Sequence, residues 1–210
     1  MSMQENMKIL TYRDNADGTQ MILKTEKNLG WMLQEKQIRS VEVLFPDGRQ
    51  ISPEQRRKAY ATIGDIADYT GYSPEETKQL MKMEYITRRN GNEISLATCS
   101  MEEAREFIST MIEFCLDHDI PLSESALERT EDIGRYLWYC LRTRHCCICG
   151  KPHSDIHHED AIGMGQDRRT YDDRNNRKIC LCRTHHILAH QKGIRAFREM
   201  HRVYGIKYDM

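Results

Sequence analysis

One stretch of the sequence decides the fold of the C-terminal part: CCICGKPHSDIHHEDAIGMGQDRRTYDDRNNRKICLCRTHHILAH, residues 146–190. It opens with Cys146 and Cys149, and after 32 intervening residues Cys182 and His185 follow at the same short spacing. Two such pairs can place four side chains around one tetrahedral zinc ion. We therefore predict a Cys3His site for a structural Zn²⁺, the alternative being two unrelated pairs.

The distribution of cysteine and histidine also points to metal. Five of the eight cysteines and eight of the nine histidines lie between residues 145 and 201. Cys147 and Cys180 each stand one residue from a better-placed cysteine, so we interpret both as free or packed thiols. In a reducing compartment clustered cysteines are more often metal ligands than disulfides, which supports the zinc interpretation.

A second set of metal-ligating residue types lies inside the same stretch. His157 and His158 come first, Asn176 follows, and His186 and His190 come last. In the helix that should begin near Cys182, residues four apart share one face, so His186 and His190 can bind one ion. Such a pair alone is a weak signal, because many pairs merely decorate a surface, but the neighbouring histidines strengthen it here.

Charge is divided unevenly along the chain. The 210 residues include 31 basic and 32 acidic side chains, and the net charge of −1 neither indicates nor excludes a nucleic-acid partner. Residues 1–141 hold 17 basic and 24 acidic side chains, a balance of −7, whereas residues 142–210 hold 14 and 8, a balance of +6. The C-terminal part is therefore a basic module.

No membrane association is expected. The first ten residues, MSMQENMKIL, lack the apolar core of a signal peptide. No apolar run approaches the roughly 20 residues that cross a bilayer. We expect a cytoplasmic protein.

The N-terminal part is predicted to form a small sheet followed by helices, so the fold class is α+β. Strand-like runs separated by turn signals occupy residues 7–13, 19–25 and 41–45. Gly71 is expected to end the first helix. Capping patterns that start three helices begin at Ser52, Ser73 and Ser100.

An aromatic helix, IGRYLWYCLRTR at residues 133–144, leads into the cysteine-rich stretch. Its side chains at positions 136, 137, 139, 140 and 141 are expected to pack against a domain rather than to stack on bases. Arg142 and Arg144 could face phosphate. A closing helix over residues 193–201 and a short strand over 204–208 are predicted to follow.

These features together resemble the HNH, or ββα-metal, nucleases, in particular those encoded by phages. If the chain is phage-encoded, it is expected in the host cytoplasm. The shared pattern is CxxC, a His-His pair in DIHHED, GMG, an Asn, and LCRTHH with a further His four residues on. It covers roughly residues 140–210. The resemblance implies a ββα-metal (HNH) module, stapled by the structural zinc, in which a hairpin and a helix hold one divalent cation.

The resemblance also implies a role for each histidine. His157, His186 and His190 would ligate the catalytic cation, and His158 would be the general base. A neutral imidazole can accept a proton from water near pH 7, which suits that role. The cation would be Mg²⁺ or Mn²⁺, or alternatively Ni²⁺ or Zn²⁺, because imidazole suits the transition metals and substrate phosphate would supply oxygen ligands.

Polar residues around the histidines complete the predicted site. Asn176 would hold the loop and the general base in place. Asn175 is an alternative for this role, but the distance along the sequence to Cys182 favours Asn176. Arg183, inside LCRTHH, is the best candidate to contact phosphate at the catalytic site. For the other basic residues the alternative role is solubility. Further DNA contacts are predicted at Arg168, Arg169, Arg174, Arg177 and Lys178.

Residues 51–122 resemble the NinB/Orf family of phage recombination proteins. The resemblance rests on a Gln-Arg helix start, a GYSPEE step and an SMEEA helix, which are less specific than the nuclease pattern. It implies binding to single-stranded DNA, contact with single-strand-binding protein or a recombinase, and a homodimer. The alternative is a helical domain that merely presents the nuclease. We predict one domain over residues 1–132 and the nuclease module over residues 133–210.

The function predicted from the sequence is that of a metal-dependent HNH endonuclease acting in phage DNA recombination or replication. Single-stranded or branched DNA is the expected substrate, because no base-reading motif is present. The main alternative is a non-catalytic recombination mediator that binds single-stranded DNA and single-strand-binding protein through a zinc-containing domain. A third possibility is a restriction-like defence or host-takeover nuclease.

Overall fold

The computed structural model describes residues 5, 7–41, 43, 48–89, 92–160 and 174–208. The chain divides into two units, residues 1–47 and residues 48–210, and each is described by itself. None of the helices in the described ranges is both long and apolar enough to cross a membrane.

The first unit contains a hairpin and a short helix. Strand β1 (Lys8–Asn15) pairs antiparallel with β2 (Gly18–Lys24), which confirms the two predicted strands. The helix α1 (Gly30–Glu35) was not predicted, because its six residues carry no side-chain cap. The third predicted strand, residues 41–45, lies mostly outside the described residues.

Three long helices open the second unit where the capping patterns predict them. They are α2 (Pro53–Thr70), α3 (Pro74–Arg89) and α4 (Met101–Asp117). At the start of α2 the Ser52 hydroxyl accepts a hydrogen bond from the Gln55 backbone N–H, and the Gln55 side chain accepts one from Ser52 N–H. These reciprocal bonds satisfy donors that a helix start leaves open.

Helix α2 ends as the sequence predicts. Gly71 has φ of +78°, a left-handed conformation that glycine adopts without steric cost, and its N–H donates to the Ala67 carbonyl at 2.8 Å. Helix α4 also begins with a capping box, from Ser100 and Glu103.

The helix that leads into the cysteine stretch lies in the core. After a short α5 (Ala126–Arg129), helix α6 (Ile133–Thr143) buries the five side chains expected to pack. It contacts both α4 and β4 (Arg177–Leu181), and the Tyr136 hydroxyl donates to the Cys147 carbonyl at 3.0 Å. One cluster of buried hydrophobic residues therefore includes side chains on both sides of residue 132, where the sequence predicts a domain boundary. The division of function between residues 1–132 and 133–210 stays a prediction.

The C-terminal region is built on a three-stranded antiparallel sheet of order β3-β4-β5, with β3 at Asp155–His158 and β5 at Ile206–Lys207. Two helices, α7 (Arg183–Lys192) and α8 (Ile194–His201), follow β4. Helix α7 contacts β3 and β4, and α8 packs on α7. Two antiparallel strands followed by a helix thus bring residues far apart in sequence together, and the observed fold is α+β.

A buried arginine gives a prediction about stability. Arg129 is 1% exposed; its Nη1 lies 2.7 Å from an Asp65 carboxylate oxygen, and its Nη2 donates to the Ser123 hydroxyl at 2.8 Å. Removing one partner of a buried ion pair leaves an uncompensated charge, which costs about 3–5 kcal/mol. Because Glu124 still lies 3.7 Å from Arg129 Nε, we expect Asp65→Asn to lower the free energy of unfolding by about 3 kcal/mol, the low end of this range, in urea denaturation.

The matched control for this variant is Glu102→Gln, which breaks an exposed ion pair with Arg105. Exposed pairs contribute about 0–1 kcal/mol, so its unfolding midpoint should stay close to that of the parent. Equal losses in the two variants would contradict a special role for the Arg129 network.

Candidate metal centres

The first metal-ligating group consists of Cys146, Cys149, Cys182 and His185, whose ligand atoms all lie within 4.8 Å of one another. The first two residues sit in a knuckle after α6. Cys182 is the N-cap of α7, and His185 lies in the first turn of that helix. The structure thus assembles the four side chains that the sequence predicts for zinc.

The distances in this group fit a tetrahedral ion. The sulfur atoms of Cys149 and Cys182 are 3.8 Å apart, and His185 Nδ1 lies 3.2 Å from the Cys182 sulfur. Zn–S bonds of about 2.3 Å separate two sulfur atoms of a tetrahedron by about 3.8 Å. The donor set and its spacing therefore suit a structural zinc ion.

Local backbone structure holds the knuckle in shape. Gly150 has φ of +69° and its N–H donates to the Cys146 carbonyl at 2.8 Å. The Cys146 N–H donates in turn to the Lys151 carbonyl at 2.9 Å. These two bonds fold the chain back on itself around the first pair of cysteine ligands.

The electrostatic environment differs among these ligands. Burial raises the pKa of Cys146 to about 12. Burial also acts to raise the pKa of Cys182, but hydrogen bonds led by the His185 backbone N–H outweigh it and lower that pKa. Burial, together with the nearby His201, lowers the pKa of His185 and favours the neutral imidazole that binds metal.

The second group consists of His157, His186 and His190. His157 lies on β3, and the other two lie one turn apart on α7. The two Nε2 atoms on the helix are 3.3 Å apart, and the His157 ring centroid lies 4.8 Å from each of the other rings. The structure therefore brings together the three predicted ligands of the catalytic cation.

His157 is held in the form that binds metal. Its side chain is 5% exposed, and burial together with the neighbouring histidines lowers its pKa to about 4. Burial likewise lowers the pKa of His186. Neutral imidazoles with converging nitrogen atoms fit a divalent cation, so these residues could hold one.

His158 and Asn176 lie at the ends of the two paired strands. His158 is the last residue of β3, is half-buried, and faces Lys178 in the β3–β4 register. Asn176 is half-buried and directly precedes β4. The three-histidine group does not include His158, because consecutive residues of a strand point to opposite faces. This alternation holds only within the strand, and His158 is the residue at which β3 ends.

The predicted phosphate-contacting residues have different surroundings. Arg183 is exposed at the first position of α7, and Arg174 is also exposed. Arg177 lies 2.6 Å from Asp160, and this pairing lowers the pKa of the Asp160 carboxyl to about 2. Arg168 and Arg169 lie outside the described residues.

Lys178 is a correction to the predicted DNA-binding set. Its side chain is 1% exposed, and its ammonium group donates to the Tyr208 carbonyl at 3.1 Å. A side chain enclosed in the core cannot reach a phosphate on the surface. Lys178 supports the sheet instead, and we remove it from the candidate DNA contacts.

Two acidic residues near the site were missed in the sequence. Glu159 follows β3, its side chain is 1% exposed, and Arg198 on α8 lies 3.4 Å from it. A Cβ added at Gly205 would come within 2.5 Å of Glu159, so this glycine leaves the space that the carboxylate occupies. The second residue, Asp160, accepts a hydrogen bond from Arg177. The only signal for these two residues in the sequence was the Glu-Asp pair directly after the two histidines.

Comparison with protein families identifies a related family. A family model described as "Putative HNHc nuclease" matches residues 23–210. No curated protein and no solved structure matches the chain. The matched region contains both metal-ligating groups and all the helices in the described part of the chain. The chain therefore belongs to the HNH nuclease family.

Proposed function

We propose that this protein is a metal-dependent DNA endonuclease that hydrolyses phosphodiester bonds. The observation that carries the proposal is the convergence of His157, His186 and His190, with His158 next in sequence at the strand end. In a chain of the HNH family this arrangement supports a ββα-metal catalytic site. The Cys3His group would hold a structural zinc ion that closes the same module.

Each residue of the proposed site has a separate task. His158 accepts a proton from a water molecule, whose oxygen attacks phosphorus as the bond to the 3′ oxygen breaks, leaving a 3′-hydroxyl and a 5′-phosphate. Asn176 keeps the loop and the base in position, and Arg183 binds a phosphate oxygen. A divalent cation bound by the three histidines would stabilise negative charge on the leaving oxygen.

The biological role is part of the same proposal. Phage DNA recombination or replication is the proposed process, with single-stranded or branched DNA as substrate, in the cytoplasm. The homodimer and the contact with single-strand-binding protein or a recombinase rest on the NinB/Orf resemblance alone and stay predictions. A defence or host-takeover nuclease would share the chemistry, and a mediator would share only the DNA binding.

Incubation of the purified protein with plasmid, single-stranded and branched DNA tests the proposal. Reactions with Mg²⁺, Mn²⁺, Ni²⁺ and Zn²⁺ should yield cuts in at least one metal, with 5′-phosphate ends. Binding of DNA without cleavage in any metal would favour the non-catalytic mediator.

Arg183 gives a prediction about salt dependence. It is exposed at the start of α7, beside the three-histidine group, and each phosphate contact adds about 0.9 to the slope of log K against log salt concentration for duplex DNA. We expect Arg183→Ala to weaken binding and to flatten that slope by roughly one contact. Fluorescence anisotropy with duplex DNA at several salt concentrations measures both.

Arg105→Ala is the matched control, because Arg105 is a partly exposed arginine on α4 that pairs with Glu102 and lies outside both metal-ligating groups. Its slope should equal that of the parent protein. An unchanged slope in Arg183→Ala would remove this residue from the phosphate-binding site.

A further inference from the structure

A cleft of about 510 Å³ lies between helices α3, α4 and α6, and none of its lining residues belongs to either metal-ligating group. Its size is within the range of small-molecule sites. The wall combines guanidinium groups with aromatic rings. The arginines that line it are Arg88, Arg89, Arg135 and Arg142.

The buried carboxylate of Glu113 fixes two of these arginines. Glu113 is 5% exposed and accepts hydrogen bonds from Arg89 Nη2 at 2.7 Å and from Arg135 Nε at 2.5 Å. Arg135 Nη1 donates to Glu106 at 2.6 Å. Both guanidinium groups are thus oriented before any ligand arrives, which reduces the entropy lost on binding.

Asp117 fixes the other two arginines in the same way. One of its oxygens accepts from Arg88 Nη1 at 2.9 Å and the other from Arg142 Nη2 at 2.7 Å. The Tyr139 hydroxyl also donates to Asp117, at 3.1 Å. Each of the two carboxylates therefore holds a pair of guanidinium groups around the cleft.

The arginines keep hydrogen-bond donors that the described part of the chain does not use. Arg135 Nη2 has no partner among the described residues, but it is buried, so it is not one of the donors that the cleft presents to a ligand. Arg88 uses its Nε and Nη1, and Arg142 uses its Nη2, in the bonds to described residues. Their remaining N–H groups are available to an acceptor such as a phosphate oxygen.

Net charge is not what would attract a ligand here. The four arginines pair with four acidic residues, so the formal charges balance. The cleft therefore offers fixed N–H donors and aromatic surface rather than a positive field. The acidic residues are Glu84, Glu106, Glu113 and Asp117.

An exposed tryptophan supplies the aromatic surface. Trp138 lines the cleft and is 41% exposed. Its ring is held edge-on by Tyr139, at 5.9 Å between centroids, and by Tyr208, at 5.8 Å. The Arg142 guanidinium lies 5.9 Å from the Trp138 ring. A rigid exposed ring beside a guanidinium group is a platform on which an unpaired base can stack.

The same aromatic contact connects the cleft to the sheet of the proposed active site. Tyr208, which packs on Trp138, accepts a hydrogen bond through its carbonyl from Lys178. Lys178 is the register partner of His158 across β3 and β4. A DNA strand at the cleft would thus lie on the unit that carries the proposed catalytic residues.

We propose that this cleft binds one nucleotide of single-stranded DNA, with its base on Trp138 and its phosphate on the open arginine N–H groups. The inference rests on the proposed nuclease function and names unpaired DNA as the substrate feature that the protein recognises. A paired base does not present a free face, so duplex DNA does not use the cleft. An acidic peptide would offer its carboxylates to the arginines but no base to Trp138, so it would leave the aromatic surface of the cleft unused.

The test uses the full chain with its zinc retained and no other divalent ion added, so that DNA is not cut. The protein has two tryptophans, and a Trp31→Phe background leaves Trp138 as the sole tryptophan. Tryptophan fluorescence is recorded during titration with a 12-nucleotide oligo(dT), the matching duplex and an acidic peptide. Anisotropy of labelled DNA gives the affinity of each variant.

We expect oligo(dT) to quench Trp138, and the duplex and the peptide to leave it unchanged. Trp138→Ala should weaken oligo(dT) binding roughly 5- to 150-fold, and Trp138→Phe should stay within about threefold, because base stacking needs an aromatic ring. The salt slope should be unchanged in Trp138→Ala, unlike Arg183→Ala, since stacking releases no counterions. Tyr69→Ala, which removes an exposed tyrosine of α2, is the matched control.

Melting temperature and zinc content show that each variant is folded. Unchanged oligo(dT) affinity in Trp138→Ala, or equal quenching by the duplex, overturns the proposal and makes the cleft an internal ion-pair network. Quenching by the acidic peptide alone also overturns it and assigns the cleft to a protein partner. If the parent never cuts DNA but Trp138-dependent binding persists, the nuclease proposal fails and the cleft assignment stands.

Discussion

Replacement of His158 by alanine is expected to abolish DNA cleavage while leaving DNA affinity and folding nearly intact. His158 is the last residue of β3, adjacent in sequence to a buried ligand of the proposed cation site. Loss of a general base typically costs about 10²–10⁴ in rate and need not disturb binding. Single-turnover cleavage of labelled DNA, together with anisotropy binding at the same salt concentration, separates the two effects.

Two further variants make this result specific. His186→Ala removes a cation ligand, so its activity should recover at higher cation concentration, whereas that of His158→Ala should not. His118→Ala removes an exposed histidine at the end of α4 and should cut at the parent rate. Cleavage by His158→Ala at the parent rate in every metal would show that the base is another group.

Removal of zinc is expected to unfold residues 145–190. The protein purified without added zinc should contain about one tightly held zinc per chain. Binding of a structural zinc ion contributes about 10–16 kcal/mol to the folding free energy of a small module. This contribution is as large as the free energy of unfolding of a typical domain, or larger. Hydrogen exchange after chelation should show lost protection at residues 145–160 and 174–190, while helices α2 to α4 keep more of their protection.

Cysteine variants provide the control for the zinc prediction. Cys182→Ser removes a ligand and should lose the metal, while Cys180→Ala removes a buried thiol outside the ligand group and should retain it. Metal analysis and thermal melting of both proteins measure the difference. A zinc content near zero in the parent, with unchanged melting in chelator, would contradict the assignment.

Local signals in the sequence were sufficient to predict where helices α2 to α4 begin. The capping boxes at Ser52 and Ser100 and the glycine at residue 71 act over three or four residues, so their meaning does not depend on the rest of the fold. Helix α1 lacks such a signal and was missed. The residue spacing of the cysteine and histidine pairs was equally local, and it predicted the Cys3His group and the His186 and His190 pair. The assignment of His157 as the third histidine ligand rested on the family resemblance.

Other properties depended on which distant segments meet. Lys178 and Arg177 are neighbours in a basic run, yet one is enclosed by the β5 end of the chain and the other is exposed beside Asp160. The cleft around Trp138 joins residues of three helices separated by up to 54 positions, so no sequence window contains it. Composition and spacing along the chain therefore specified ligand identity and helix ends, because these follow from short-range geometry. Burial, ion pairing and the cleft required the tertiary structure, because they arise only where strands and helices from distant parts of the chain pack together.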